Sequence, residues 1–131
     1  MSACGSNDSI PTSPTPTETT TVTAPTVTET FSGTLSVGGF RFYSFTVTQN
    51  GTLNLTLTSV GGQFVPSTVM LGLGIGTPSG VDCTTTSTAI GAAGSAPQLT
   101  GTFSPGLYCA RAYDIGNLFA PATFSVDIAH P

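Results

Sequence analysis

The chain has one histidine, His130, and it stands next to Pro131. A Ser-His-Asp hydrolase needs its histidine beside a nucleophile and a carboxylate, and no serine lies in the Gly-x-Ser-x-Gly pattern that exposes a nucleophile on a sharp turn. Gly72, Gly74 and Gly76 do not form a phosphate-binding loop, because no lysine follows them. We therefore expect no catalytic residue and no cofactor, and we expect His130 to be exposed and without a partner.

Cys4 ends a short Ser2-Ala3-Cys4 stretch and is followed by Gly5 and a Thr/Pro-rich segment. This order resembles the processed start of a bacterial lipoprotein, in which the cysteine carries the lipid and a polar tether follows. The preceding apolar signal is missing, which fits either a trimmed signal with Met1 added or a chance match. The pattern predicts an exported protein held by a lipid on Cys4 at the bacterial outer membrane or cell surface.

Cys83 and Cys109 form an even pair once Cys4 is assigned to the lipid. Outside the reducing cytoplasm such a pair predicts a disulfide. A redox or metal site is disfavoured, because the chain has no Cys-x-x-Cys motif and no histidine near either cysteine. The bond would join the segment Thr84–Thr86, which we expect to be a loop, to the strand that contains Cys109.

The chain contains only two cations, Arg41 and Arg111, against six acidic residues. Nucleic-acid binding by counterion release and attraction to anionic lipid both require clusters of basic residues, so both are excluded as functions. Twenty-five threonines supply much of the polar surface, and this β-branched residue favours extended backbone.

Residues 1–28 differ in composition from the rest of the chain. Residues 11–30 contain ten threonines and four prolines, which predicts an extended, solvated tether rather than a packed element. An alternative is that Thr21–Thr23 and Thr26–Thr28, where apolar and polar residues alternate, add a strand to a sheet edge. Residues 29–131 are enough for one compact domain and too few for two.

Period-two alternation recurs through residues 29–131 and predicts about seven short strands in an antiparallel β-sandwich. The Gln49-Asn50-Gly51 segment predicts a hairpin between the second and third strands, because Asn-Gly tolerates positive φ. Glycine at 72, 74 and 76 predicts a bend or a close approach by another segment. The inward-facing residues are expected to be Phe31, Gly33, Leu35 and Val37; Tyr43, Phe45 and Val47; Leu53, Leu55 and Leu57; Val69, Leu71, Leu73 and Ile75; Tyr108, Ala110 and Ala112; and Phe124, Val126 and Ile128.

Several of these segments, in their order and spacing across residues 29–129, resemble the bacterial pre-peptidase C-terminal (PPC) domain. They are Thr30–Leu35, Phe42–Val47, Gly51–Leu57 and Pro105–Tyr113. The resemblance implies a jelly-roll-like sandwich of seven to eight strands without catalytic activity, a domain that commonly accompanies secreted peptidases. Relatives that bind collagen also bind calcium through acidic residues near the first strand. Here only Glu29 and Asp114 could contribute, too few carboxylates for a calcium site, so we expect no metal. We expect Glu29 to be a solvated residue at the start of a strand and Asp114 to be a turn former that accepts backbone amides.

These observations predict a noncatalytic, surface-tethered binding or spacer module that contacts a protein or a glycan. Phe40, Phe64 and Phe119 fall outside the inward alternation and would mark a binding face if they cluster. The alternative function is a structural subunit of an extracellular filament or surface assembly, in which the N-terminal Thr/Val segment of one copy adds to the sheet of the next.

Overall fold

The computed structural model describes residues 22–131. This part of the chain forms eight β-strands and contains no helix, and therefore no helix long and apolar enough to cross a membrane. Cys4 and the tether up to residue 21 lie outside the described residues. The strands are β1 (Val27–Leu35), β2 (Phe40–Val47), β3 (Gly51–Gly61), β4 (Leu71–Ser79), β5 (Asp82–Gly91), β6 (Leu99–Phe103), β7 (Gly106–Tyr113) and β8 (Ala122–His130).

The strands form two four-stranded sheets with the orders β1-β8-β3-β6 and β2-β7-β4-β5. All strand pairs are antiparallel, and only β4 and β5 are neighbours both in the chain and in a sheet. This interleaved order is that of an eight-stranded jelly roll, so the predicted fold class is confirmed.

The core lies between the two sheets, where the predicted inward faces meet. The prediction is wrong for Val37, because β1 ends at Leu35 and Val37 is exposed. Alternate residues of β3 and of its neighbour β8 are buried on the same face of their sheet, because successive side chains of a strand point to opposite sides of the sheet. Aromatic contacts add to this packing at one end, where Phe31 meets Phe124 edge to face at 5.0 Å and stacks on Tyr43 at 5.7 Å.

The predicted hairpin at Asn50-Gly51 is wrong. β2 pairs with β7 and β3 pairs with β8 and β6, so residues 48–50 cross from one sheet to the other. Gly51 is required for a different reason. Its position is crossed by the backbone carbonyl of Thr23, which would collide with a β-carbon there.

The expected loop at Thr84–Thr86 is also wrong, because these residues belong to β5, the edge strand beside β4. The Cys83–Cys109 disulfide is present and joins β5 to β7 across the intervening β4. The prediction for the three glycines of β4 is confirmed. The Tyr113 ring lies over Gly72, and the pairing with β5 shifts between Ile75 and Gly76.

The N-terminal segment joins the fold before the expected boundary at residue 29. Thr23 forms a parallel bridge with Gly51, and the Thr26 amide donates to the His130 carbonyl at 3.1 Å. β1 then begins at Val27, which pairs with His130. The described part of the Thr/Val segment therefore adds to a sheet edge, and it does so within its own chain.

Candidate functional site

Two loops at one end of the sandwich, residues 62–70 and 114–121, form an exposed apolar surface around a cavity of about 80 Å³. Phe64 and Phe119 project from it with 74% and 94% of their surface exposed. We call this surface the loop patch and define it as Phe64, Val65, Pro66, Val69, Leu118 and Phe119. Asn117 supplies the polar group at its margin.

Asp114 fixes the second of these loops. Its Oδ1 accepts hydrogen bonds from the amides of Gly116, Asn117 and Leu118 at 2.8, 2.9 and 3.2 Å, while its Oδ2 accepts one from the Gly38 amide at 2.8 Å. The turn also needs Gly116, whose φ is 102°. One carboxylate thus positions the residues immediately before Phe119 and ties them to the turn between β1 and β2.

These contacts favour the ionised form of Asp114. Partial desolvation raises the pKa of this carboxyl, but the four backbone hydrogen bonds together lower it more, so that the net pKa lies below its ordinary value. The prediction that Asp114 is a turn former that accepts backbone amides is confirmed.

The first loop is held by its own turns and by a link to the second. The Val65 amide donates to the Gly62 carbonyl at 3.3 Å, and the Val69 amide donates to the Pro66 carbonyl at 3.1 Å. The Asn117 side-chain amide donates to the Met70 carbonyl at 3.3 Å and so joins the two loops. The loop patch is therefore ordered before any partner arrives.

Phe40 does not join Phe64 and Phe119 in the loop patch. It lies on the outer face of the β2-β7-β4-β5 sheet, where the Arg111 guanidinium stacks over its ring at 4.4 Å and over the Tyr113 ring at 4.9 Å. Arg111 Nε also lies 3.7 Å from Asp82 Oδ1. The three phenylalanines therefore belong to two separate surfaces.

A second polar cluster, formed by Glu29, Tyr43 and His130, corrects the expectation for the histidine. His130 is buried, its Nε2 lies 2.6 Å from Glu29 Oε2, and its ring stacks on Phe45 at 5.2 Å. The Tyr43 hydroxyl donates to Glu29 Oε1 at 2.6 Å. His130 is thus neither exposed nor without a partner, because Glu29 reaches it from the adjacent strand.

The cluster shifts two ionisations in opposite directions. The hydrogen bond from Tyr43 lowers the pKa of Glu29, burial raises it, and the hydrogen bond and charge of His130 lower it, with a net pKa below the ordinary value. The hydrogen bond to Glu29, followed by burial, raises the pKa of Tyr43. Each shift favours the pairing of a carboxylate with a neutral phenol.

The two acids considered for calcium are engaged with protein donors. Glu29 binds Tyr43 and His130, so the expectation that it is a solvated residue without protein partners is wrong. Asp114 binds backbone amides. Within residues 22–131 no group of three His, Cys, Asp or Glu side chains could hold a metal ion.

Sequence reasoning identified Asp114 and two of the exposed phenylalanines but missed the Glu29–His130 pair. The only local signal for that pair is that both residues occupy inward positions of their strands. No protein-family model matches the chain, and no curated protein matches it.

Proposed function

We propose that this protein is a noncatalytic binding module of an exported bacterial lipoprotein, tethered through Cys4 and residues 5–21. The observation that supports the binding role is the loop patch, in which Phe64 and Phe119 are 74% and 94% exposed beside an apolar cavity. Exposed apolar surface of this kind carries a free-energy cost in water, and it is typical of interaction sites.

The construction of the loop patch supports this role. Asp114 and Asn117 order both loops in the free protein, so binding would not incur the entropic cost of ordering them. The cavity is smaller than the about 300–1,000 Å³ of a site that encloses a drug-sized ligand. We therefore propose that its ligand is a protein side chain or the apolar face of a sugar ring, presented by a larger partner.

A catalytic role has less support, because the titratable groups with shifted pKa values are engaged in structural contacts. Glu29 and Tyr43 bind each other, and Asp114 binds backbone amides. The jelly-roll scaffold is compatible with the proposed PPC-like, noncatalytic class, although a fold alone does not determine function.

The filament alternative is less favoured because the segment that it would use is already paired. It needs the N-terminal Thr/Val segment to pair with another copy, and Thr23 and Val27 already pair within their own chain.

The binding proposal is tested with lipidated protein displayed on vesicles and assayed against glycan arrays and surface proteins of the producing cell. The double variant Phe64→Ser/Phe119→Ser removes the two exposed rings. Val81→Ser is the matched control, because Val81 is 90% exposed and lies outside the loop patch. We expect saturable binding that the double variant weakens at least tenfold and the control leaves unchanged, whereas equal binding by all three proteins contradicts the proposal.

The tether is tested separately. Metabolic labelling with a radioactive fatty acid should label the wild-type protein and should not label Cys4→Ser. A labelled Cys4→Ser variant, or an unlabelled wild type, contradicts lipidation at Cys4 but leaves the binding test unaffected.

A further inference from the structure

Glu29 and His130 are polar residues in inward positions that are otherwise apolar. On β1 the same face carries Phe31 and Leu35, and on β8 it carries Val126 and Ile128. Tyr43 approaches from the opposite sheet, so the cluster joins both layers of the sandwich at one end.

The cluster lies where the N-terminal segment joins the sandwich. The His130 carbonyl accepts the Thr26 amide, and three residues earlier Thr23 exchanges hydrogen bonds with Asn50 and Thr52 at 3.0 Å each. Pro131 packs close to Gly51 beside Thr23. The His130 backbone is therefore one of the points at which Val22–Thr26 is attached to the sandwich, together with Asn50 and Thr52.

The ionisation state of Glu29 determines the strength of the hydrogen bonds within the cluster. Among the described residues, the titratable groups that face it are Tyr43 from β2 and His130 from β8. Asp127 of β8 binds Thr30 with Oδ1 and Arg41 of β2 binds the Thr34 carbonyl, so neither contacts Glu29.

A carboxylate can accept from both Tyr43 and His130, because both of its oxygens are acceptors. A neutral carboxyl can donate its own hydrogen to an unprotonated His130 Nε2 and still accept from Tyr43, but it loses the charge that strengthens both hydrogen bonds. His130 cannot turn away without losing another contact, since its Nδ1 lies 3.0 Å from the Pro131 oxygen.

We propose that Glu29, Tyr43 and His130 form an acid-sensitive latch that holds Val22–Thr30 against the sandwich at neutral pH and releases it when Glu29 is protonated. Release exposes Val22–Thr26 and the first four residues of β1, while the disulfide and the remaining strands keep the sandwich folded. The proposal does not depend on the loop patch, which involves other elements.

The test is amide hydrogen exchange of the full chain, measured by NMR as protection factors between pH 7 and pH 3. Protection factors remove the intrinsic pH dependence of exchange. In the wild type we expect the protection of Thr26 and of residues 28–30 to fall at least tenfold with acid, while the amides of β3 stay protected. The fall should follow the protonation of Glu29.

Two variants and one control distinguish release caused by protonation of Glu29 from an overall loss of stability at low pH. Glu29→Gln resembles the protonated state, so its N-terminal segment should be poorly protected already at pH 7 and should not respond to acid. Tyr43→Phe removes the hydrogen bond that most lowers the pKa of Glu29, so release should occur at a higher pH. Asp82→Asn, a carboxylate change in β5 whose contacts are to Arg111 and the Cys83 amide, should behave as wild type.

Constant protection of Thr26 from pH 7 to pH 3 in the wild type would overturn the latch. An acid response of Glu29→Gln equal to that of the wild type would overturn it as well. If Glu29→Gln does not fold, an unchanged release midpoint in Tyr43→Phe is sufficient to reject the proposal.

Discussion

At the scale of single residues, the Asp114 side chain makes four hydrogen bonds, more than any other side chain among residues 22–131. Asp114→Ala deletes the acceptor of four backbone amides, three of them in its own turn, and leaves them to water. Loss of a comparable capping side chain costs about 1 kcal/mol, or a decrease in Tm of about 4 °C for a domain of this size. Calorimetry measures the decrease, and heteronuclear relaxation of residues 114–119 should show faster motion.

The control for this substitution is Asp127→Ala, which removes a carboxylate with one hydrogen bond to Thr30 at 3.2 Å. It should change Tm by a smaller amount and leave the mobility of residues 114–119 unchanged. Equal effects of the two substitutions would show that the network around Asp114 does not order the loop.

The contrast between Asp114 and His130 shows how far residue-level prediction reaches. The role of Asp114 could be predicted because three of its four donors lie within four residues of it, where turn chemistry is a local rule. The partner of His130 lies 101 residues away in the sequence. Only the pairing of β1 with β8 brings the two together, and no local pattern predicts that pairing.

At the scale of elements, β4 depends on the absence of a side chain at Gly76. A β-carbon there would collide with the backbone carbonyl of Thr84 in β5, and a backbone cannot turn aside as a flexible side chain can. Overpacking of this kind costs about 1–3 kcal/mol, so Gly76→Ala should lower the free energy of unfolding by that amount in urea denaturation.

Gly94→Ala is the matched substitution, since a β-carbon at Gly94 meets nothing within 4 Å. It should be neutral or slightly stabilising, because alanine restricts the unfolded chain. If the two substitutions cost the same, the close packing of β5 on β4 does not restrict position 76.

Strand existence could be predicted for most elements, and strand pairing could not. Leu53, Leu55 and Leu57 alternate cleanly, and they are fully buried. The Asn50-Gly51 signal predicted a hairpin because local sequence cannot distinguish a turn within one sheet from a crossing between two. β5 was missed because it is an edge strand in which every residue except Ile90 is polar or small, so it lacks an apolar alternation.

At the scale of the whole molecule, the disulfide is the one covalent restraint among residues 22–131. It closes a loop between residues 26 apart, and the chain-entropy argument gives a stabilisation of about 3.5 kcal/mol. The double variant Cys83→Ala/Cys109→Ala should lose about that amount in urea denaturation. Cys4→Ala, a substitution outside the described residues, should lose nothing, and a loss below about 1 kcal/mol in the double variant would contradict the chain-entropy argument.

The stability of the whole domain should also depend on pH at both extremes. Glu29 and Asp114 have folded-state pKa values below their ordinary values, so they stabilise the protein above about pH 4, and the stabilisation is lost as the pH falls through the folded-state values. The folded-state pKa of Tyr43 lies above its ordinary value of about 10, so its contribution is present below that pH and is lost as the pH rises through the folded-state value.

Urea denaturation from pH 2 to pH 12 should therefore give a plateau with a decline on each side. Tyr43→Phe should flatten the alkaline decline, because phenylalanine has no proton to lose, and Asp114→Asn should flatten the acid decline. Tyr108→Phe is the control for the alkaline side, since the Tyr108 hydroxyl donates to the uncharged Ser104 carbonyl. An alkaline decline that Tyr108→Phe removes and Tyr43→Phe retains would show that the link between the sheets at Glu29 does not set the upper limit of stability.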